Sequence, residues 1–392
     1  MAPLSAKQPF KAVYTAAFCA LAPPLALLLA VKYAFRPLRP DPSLPFRTTL
    51  VNALARLFFT FATQTRAQAE APTEAGKLGG RFALCRPVAG EDGRSRYSDG
   101  ILGSGLAAPA TMPGAWFPAA LPPPSSSSSS SKSGGTGDEK VILHFPGGAY
   151  VLAFELGFCG AKVEDPLRPG LGADRLFLAQ YRLSRDEGTR FPAALQDAVT
   201  FYRHVLDLGF RPQNIILSGD SAGGNLALAL LRYLEDDNAG TAGAAETTKL
   251  PVPGAVACFS PWVDVAPDGP AASAAFATWA NARSDMLTGG LVRWGTEALR
   301  PRKTKPGQEP YLSPLRHPFR TSARLFLHAG GADVFRDGVV EFARRMGAVR
   351  GNSVLLDLTP GSGHDIVLLH DALGLTDAYK TLLKRAKEFI DP

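Results

Sequence analysis

The chain has 392 residues, of which 46% are hydrophobic and 20% are charged, and this composition is typical of globular proteins with a large core. The length allows one large domain with appendages. The formal net charge is +7, but many basic residues lie near the N-terminus, and no basic stripe with interleaved aromatic residues indicates nucleic-acid binding. The four cysteines are too few and too scattered for a disulfide framework. No Cys/His cluster has the spacing of a zinc site, so we expect no metal.

An uncharged apolar run near the N-terminus predicts a membrane anchor. It extends from Ala12 to Val31, which is about long enough to cross a bilayer core, and basic residues flank it. Pro23 and Pro24 interrupt the run, which a membrane helix tolerates as a kink. A cleaved signal peptide is the alternative, although the run is long for one and basic residues follow it directly. We therefore predict a single-pass anchor in residues 1–40, with a secreted protein as the alternative.

The region from residue 41 to residue 139 is predicted to form a helical cap region that carries a disordered loop. Between Leu44 and Thr63 apolar residues recur at helical spacing. This helix could lie on a membrane, cover an active site or pack on the main core. Residues 64–140 look irregular and polar, and a proline run followed by Ser125 to Ser131 is low in complexity. We expect a disordered surface loop there.

From residue 140 onward, short apolar runs alternate with helical stretches. The predicted strands are Val141–Phe145, Arg175–Tyr181, Ile215–Ser218, Ala255–Ser260, Leu325–Ala329 and Val354–Leu358. Helical stretches between them include Pro192–Leu208, Asn225–Leu234 and Gly338–Val349. This alternation predicts an α/β domain over residues 140–392, with a mostly parallel sheet flanked by helices. Residues 266–311 interrupt the alternation, and we interpret them as a cap insertion that folds over the site.

One short motif predicts a nucleophilic serine. Ser221 lies between an apolar run and a strong helical run, within the sequence Gly219-Asp220-Ser221-Ala222-Gly223-Gly224-Asn225. A strand, a tight turn with a serine and then a helix is the context in which G-x-S-x-G forms a nucleophile. Small residues on both sides let the strand and the helix pack closely. An ordinary strand-to-helix turn is the alternative.

A serine nucleophile needs a base and an orienting carboxylate. Of the six histidines, His364 lies in a glycine-rich loop directly after a predicted strand, where an α/β sheet places its chemistry. Asp333 follows the preceding strand, and Asp337 is a competitor that could instead cap the next helix. The predicted order is Ser221, Asp333 and His364, as expected for an α/β-hydrolase. The segment after Val141–Phe145 supplies glycines, and we predict that the N–H groups of Gly147, Gly148 and Ala222 form an oxyanion hole.

Together these motifs resemble the hormone-sensitive-lipase-like branch of the α/β-hydrolases, which includes arylacetamide deacetylase and fungal steryl acetyl hydrolases. The resemblance covers about residues 140–390 and includes further blocks such as Tyr181-Arg182-Leu183 and Ser260-Pro261-Trp262-Val263-Asp264. It implies an α/β-hydrolase fold with a helical cap and no metal or organic cofactor. It also implies a membrane location, such as the endoplasmic reticulum.

The chain departs from this branch in its oxyanion loop. The branch usually has His-Gly-Gly-Gly, whereas this chain has Pro146, Gly147, Gly148 and Ala149. The histidine and any support that it gives the loop are lost, and Ala149 adds a methyl group. We predict a serine hydrolase that cleaves short-acyl esters of hydrophobic alcohols. The alternatives are an acyltransferase with the same triad and a degenerate, non-catalytic protein that binds a lipid or a partner.

Overall fold

The computed structural model describes residues 3–87, 97, 100–121, 137–238, 249–265 and 276–391. Its centre is an eight-stranded sheet with the strand order β1-β2-β4-β3-β5-β6-β7-β8. The strands are β1 (Phe82–Cys85), β2 (Met112–Phe117), β3 (Val141–Phe145), β4 (Arg175–Ala179), β5 (Ile215–Asp220), β6 (Ala255–Phe259), β7 (Arg324–Gly330) and β8 (Val354–Thr359). Strands β3 to β8 run parallel to one another, and β2 pairs antiparallel to both β1 and β4.

Helices cover both faces of the sheet, because its parallel strands are apolar on both sides. The helices are α1 (Phe10–Ala34), α2 (Phe46–Thr65), α3 (Leu156–Gly170), α4 (Ala193–Asp207), α5 (Ser221–Asn238), α6 (Gly289–Leu299), the one-turn α7 (Glu309–Leu312), α8 (Arg336–Gly347), α9 (Ile366–Leu373) and α10 (Thr376–Ile390). In the described part of the chain, two hydrophobic clusters form the core, one on each face of the sheet. Leu143 of β3 packs in one cluster with residues of α4, α5 and α8, and its neighbour Ile142 packs in the other with residues of α3, α9 and α10. The predicted fold class, a mostly parallel sheet flanked by helices, is confirmed.

The region before residue 140 contributes more to the sheet than the sequence predicts. The sequence predicts an irregular region over residues 64–140, outside the catalytic domain, but β1 and β2 lie there and extend the sheet by two antiparallel strands. The sequence of β2 includes Pro113 and Gly114, which usually indicate turns, and β1 has only four residues. Because of these features, the sequence pattern does not predict either strand. The predicted Ser-rich disordered loop lies outside the described residues.

The N-terminal helices form a pair that packs on the catalytic domain. Among the described residues, α1 is the one helix that is long and apolar enough to cross a membrane, and none of its apolar window is buried. The rings of Tyr14 and Phe18 stack on Phe61 of α2, with centroids 6.1 Å and 4.5 Å apart. Helix α2 in turn contacts α6 and α9. It therefore lies between α1 and the rest of the protein.

The described part of the predicted cap insertion covers one end of the sheet. Residues 276–311 include α6, and Gly295 of this helix lies so close to Ala149 that an added Cβ would be 2.5 Å from the Ala149 carbonyl oxygen. Arg56 of α2 donates to the carbonyl oxygens of Ala282 and Leu287, at 2.9 Å and 3.1 Å. The insertion is thus fixed between the sheet and the N-terminal helices.

Candidate active site

Ser221 lies on a sharp turn between β5 and α5. Strand β5 ends at Asp220 and α5 begins at Ser221, whose φ of 51° is in the left-handed region that residues other than glycine rarely occupy. A Cβ at Gly223 would be 1.8 Å from the carbonyl oxygen of Phe145, and one at Gly219 would be 2.4 Å from the backbone of Gly223. Only glycine fits at these two positions, because β3, β5 and α5 converge here. The turn has the geometry of a nucleophile elbow.

The two other predicted triad residues lie together at the ends of β7 and β8. His364 Nδ1 is 3.2 Å from Asp333 Oδ1, and both side chains are buried. Burial alone would lower the pKa of His364, but the Asp333 carboxylate outweighs this effect and raises the pKa above its ordinary value. The same attraction lowers the pKa of Asp333, although burial would raise it. Asp337, the alternative acid, lies in the first turn of α8 and pairs with Arg336 on the surface.

An apolar cavity of about 180 Å³ brings the predicted nucleophile and the predicted base together. Ser221 and His364 both line it, as do Gly147, Gly148 and Ala149 of the loop after β3. His364 Nε2 is buried and has no hydrogen-bond partner among the described residues. The remaining lining is mostly apolar and comes from Ala55, Phe58, Phe59, Phe154, Trp262, Met286, Leu287, Leu291, Val292, Phe335, Asp365, Leu368 and Leu369. The free imidazole nitrogen is therefore available to a group bound in this cavity.

The loop after β3 differs in one respect from the predicted oxyanion hole. The N–H of Gly147 donates to Asp220 Oδ2 at 2.8 Å, so this predicted donor is already occupied. The N–H groups of Gly148 and Ala149 have no acceptor among the described residues. Ala222 is the second residue of α5, where backbone N–H groups have no partner within the helix. Ala149 has a φ of 53°, a conformation that normally favours glycine.

A buried hydrogen-bond network supports this loop, although the histidine typical of the branch is absent from it. His144 on β3 makes hydrogen bonds through Nδ1 to Ser218 Oγ at 3.1 Å and through Nε2 to Asp220 Oδ1 at 3.0 Å. Asp220 in turn holds Gly147, and Tyr181 donates its hydroxyl to the carbonyl oxygen of Pro146 at 2.7 Å. Any support from a histidine at position 146 is absent, as expected, but this network holds the loop by other contacts. His144 lies two residues before Pro146, inside β3.

A second buried carboxylate joins the cap to the acid and base loops. Asp285 accepts the N–H of Val334 at 2.6 Å through Oδ2 and the N–H of His364 at 3.2 Å through Oδ1. Burial, followed by the charge of Asp333, raises the pKa of Asp285 to about 7. One ligand atom from each of Asp285, Asp333 and His364 lies within 4.8 Å of the others, as a metal site would require. However, both Asp285 oxygens already accept backbone N–H groups. Nothing in the local sequence indicated a role for Asp285.

Part of the chain matches a known protein family. Residues 175–368 match the family described as alpha/beta hydrolase fold. The chain is 34% identical over 201 residues to an acetyl-hydrolase of Streptomyces hygroscopicus, covering 51% of this chain and 59% of that protein. It is 30% identical over 213 residues to a versiconal hemiacetal acetate esterase of Emericella nidulans, covering 52% and 66%. The chain thus spans less than two thirds of the length of the first relative.

Solved structures agree on the fold. An esterase from the bacterial hormone-sensitive lipase family superposes with a TM-score of 0.54 at 22% identity, covering 94% of this chain and 98% of that chain. With the eight-stranded sheet, these matches define an α/β-hydrolase fold. Residues 175–368 match that family, as the motifs predicted, and the acetyl-hydrolase and acetate esterase relatives agree with the predicted resemblance.

Proposed function

We propose that the protein is a serine carboxylic-ester hydrolase that acts through an acyl-enzyme. The observation that carries the proposal is the cavity that Ser221 and His364 both line. Ser221 lies on a strained elbow, and His364 is hydrogen-bonded to Asp333. The acetyl-hydrolase and acetate esterase names of the relatives support the same reaction class. The proposal includes the catalytic roles of these residues, the length of the acyl group and the nature of the alcohol in the ester substrate.

In the proposed reaction, Ser221 Oγ attacks the ester carbonyl while His364 Nε2 accepts the hydroxyl proton. His364 then donates this proton to the leaving alcohol as the ester bond breaks, and Ser221 keeps the acyl group. In the second half, water attacks the acyl-enzyme, His364 accepts the proton of the water and returns it to Ser221, and the acid is released. Asp333 binds Nδ1, so that it holds the tautomer with a free Nε2 and stabilises the imidazolium.

The developing oxyanion requires donors that are not otherwise engaged. Because the N–H of Gly147 is bound to Asp220, we assign the oxyanion to the N–H groups of Gly148, Ala149 and Ala222. Gly148 and Ala149 line the cavity next to Ser221, and the N-terminus of α5 favours negative charge. Each donor of this kind contributes about 3 kcal/mol to transition-state stabilisation. Gly147 would act indirectly, by fixing the loop to Asp220.

The cavity supports the substrate class predicted from the sequence. Its volume of about 180 Å³ and its apolar lining suit a small acyl group and a hydrophobic alcohol portion. Bulky side chains such as Trp262, Leu291 and Phe335 line the cavity, and we propose that they restrict the length of the acyl group. We therefore propose short-acyl esters of lipophilic alcohols as substrates.

We also propose that α1 is a membrane anchor, because it is uncharged between Lys11 and Lys32 and its apolar window is exposed.

Hydrolysis of p-nitrophenyl esters from acetate to palmitate tests the proposed function. We expect turnover that is highest for acetate or butyrate, and we expect the Ser221→Ala variant to lose it by at least about 10³-fold while remaining folded. Retained turnover in the variant would remove Ser221 from its role. Product analysis with an added alcohol separates hydrolysis from acyl transfer. A folded wild-type protein with no turnover on any ester would favour the binding-only alternative.

A further inference from the structure

Helix α2 packs with its polar side towards the protein and its apolar side outward. Its buried residues are almost all small and polar, namely Thr48, Thr49, Asn52, Ala62, Thr63 and Thr65. None of the apolar residues that recur at helical spacing is buried, namely Leu50, Leu54, Leu57, Phe58 and Phe61. A surface helix of a water-soluble protein normally does the opposite. The apolar stripe of α2 therefore requires a different neighbour.

Helix α1 covers only part of that stripe and adds a larger apolar surface of its own. It contacts α2 through the stacking of Tyr14 and Phe18 on Phe61. The described residues leave its other side open, where Leu21 and Leu28 are 64% and 62% exposed. Exposed apolar residues also continue along α2 at Phe46, Leu54 and Phe58. We call these free faces of α1 and α2 the N-terminal apolar surface.

The active-site cavity reaches this surface at Phe58, which we take as its mouth. Phe58 lines the cavity and is at the same time 46% exposed. It lies three residues before Phe61, which contacts α1, so the two rings are on the same side of α2 about one helical turn apart. Leu368 and Leu369 of α9 line the cavity and are partly exposed. An apolar ester can therefore pass from the N-terminal apolar surface to Ser221 over apolar side chains.

The dimensions and charges of α1 favour a bilayer as the neighbour. Its 25 residues give a length of about 37 Å at 1.5 Å per residue, more than the thickness of a hydrocarbon core. Lysines flank the uncharged run on both sides, at Lys7 and Lys11 before it and Lys32 near its end. Cations at the ends of an apolar segment suit lipid headgroups. A contiguous exposed apolar surface marks an interaction site rather than an ordinary surface.

We propose that the N-terminal apolar surface inserts into the hydrocarbon of a lipid bilayer and that the ester substrate enters past Phe58 directly from the lipid. This inference depends on the proposed function and narrows its substrate class to esters that partition into membranes. Substrate would move along α2 into the cavity without crossing water. Water-soluble esters would reach the same Ser221 without needing a bilayer.

The first test separates lipid delivery from chemistry by measuring two substrates with the full-chain protein. One is p-nitrophenyl acetate in buffer, and the other is hexadecyl acetate in phosphatidylcholine vesicles. The variant Leu21→Arg/Leu28→Arg places charges on the exposed face of α1, away from the cavity. We expect its flotation with vesicles and its rate on hexadecyl acetate to fall by about tenfold or more, because charge in hydrocarbon is costly. We expect its rate on p-nitrophenyl acetate to stay within about twofold, as no cavity residue changes.

Leu106→Arg is the matched control, because Leu106 is 67% exposed in the loop before β2. It should leave all three measurements unchanged. An unchanged rate on hexadecyl acetate in the double variant, or wild-type protein that does not float with vesicles, would overturn the proposal. If the double variant also loses the soluble activity, the milder pair Leu21→Gln/Leu28→Gln replaces it. Absence of Ser221-dependent activity on p-nitrophenyl acetate in the wild type would instead contradict the proposed function.

The second test locates the cavity mouth itself. Tryptophan fluorescence of Phe58→Trp is compared with that of the wild type in vesicles containing brominated phosphatidylcholine, with Leu106→Trp as the control. We expect the added fluorescence of Phe58→Trp to be quenched by the brominated acyl chains and that of Leu106→Trp to be unaffected. Equal quenching, or none, in the two variants would show that the mouth does not lie in lipid, even if α1 binds the membrane.

Discussion

The two halves of the candidate active site are supported in different ways. On the nucleophile side, the elbow and the oxyanion loop are held by residues of the sheet and its loops, through His144, Asp220 and Tyr181. On the base side, the loops that carry Asp333 and His364 are held by Asp285, which comes from the cap insertion. The proposed nucleophile thus depends on contacts within the sheet and its loops, whereas alignment of the proposed base depends on the cap insertion, which also contacts α2.

The largest loss of kcat is expected when the carboxylate that binds His364 is replaced. Asp333→Asn should lower kcat by about 10³- to 10⁴-fold, because an amide facing His364 Nδ1 favours the tautomer that lacks a free Nε2. Asp337→Asn is the matched control, since Asp337 lies on the surface beside Arg336, and it should change kcat by less than about twofold. Kinetics on p-nitrophenyl acetate measure both. A severe loss in Asp337→Asn with a mild one in Asp333→Asn would exchange the two assignments.

An intermediate loss of kcat is expected when the hydrogen-bond network beside Ser221 is broken. His144→Phe removes the partner of Asp220 Oδ1 and of Ser218 Oγ inside a buried network. We expect the free energy of unfolding to fall by about 1–3 kcal/mol, because these groups lose their hydrogen bonds. We expect kcat to fall by about 10- to 100-fold, since the oxyanion loop loses its support through Gly147.

His144→Gln keeps a donor that can reach Asp220 and serves as the matched variant. Recovery of most of the kcat in His144→Gln, measured beside denaturant unfolding of both variants, would establish support of the loop through the hydrogen bond. Equal kcat in the wild type and in His144→Phe would show that the loop does not depend on this network.

The smallest loss of kcat is expected when Asp285, which joins the cap insertion to the loop of His364, is replaced. Asp285→Asn keeps the shape of the side chain but removes a carboxylate that raises the pKa of His364. The pKa of His364 should therefore fall, and the neutral base should persist to lower pH. We expect the acidic limb of the kcat/KM profile to shift to lower pH, with a loss in kcat of about tenfold or less as Val334 or His364 loses its acceptor. A shift to higher pH, or none, would contradict this electrostatic role.

The positions of residues in local motifs, although not their roles, were predictable from the sequence. Ser221, Asp333 and His364 each follow an apolar strand, and the order of these strands in the chain restricts which polar residues can meet at the end of the sheet. The fold class was predictable for the same reason, since β3 to β8 and several of the helices between them have clear periodicity. Boundaries differ by a few residues, as α5 begins at Ser221 rather than Asn225.

What was not predictable depends on contacts between distant parts of the chain. The engagement of Gly147 by Asp220 joins residues 73 positions apart, and the hydrogen bond from Val334 to Asp285 spans 49 positions. No local pattern shows which polar group such a buried carboxylate will bind. Similarly, the periodicity of α2 predicted a helix but left open which of its faces is buried. Contacts with the catalytic domain and with α1 determine that orientation.

The most direct test of the account is covalent labelling of the nucleophile. Intact protein is incubated with diisopropyl fluorophosphate, weighed by mass spectrometry and then digested to locate the label. The account predicts one label per chain on the peptide that contains Ser221, no label in Ser221→Ala, and much slower labelling in Asp333→Asn. A label on another residue, or no label on folded wild-type protein, would contradict the assignment of Ser221 as an activated nucleophile.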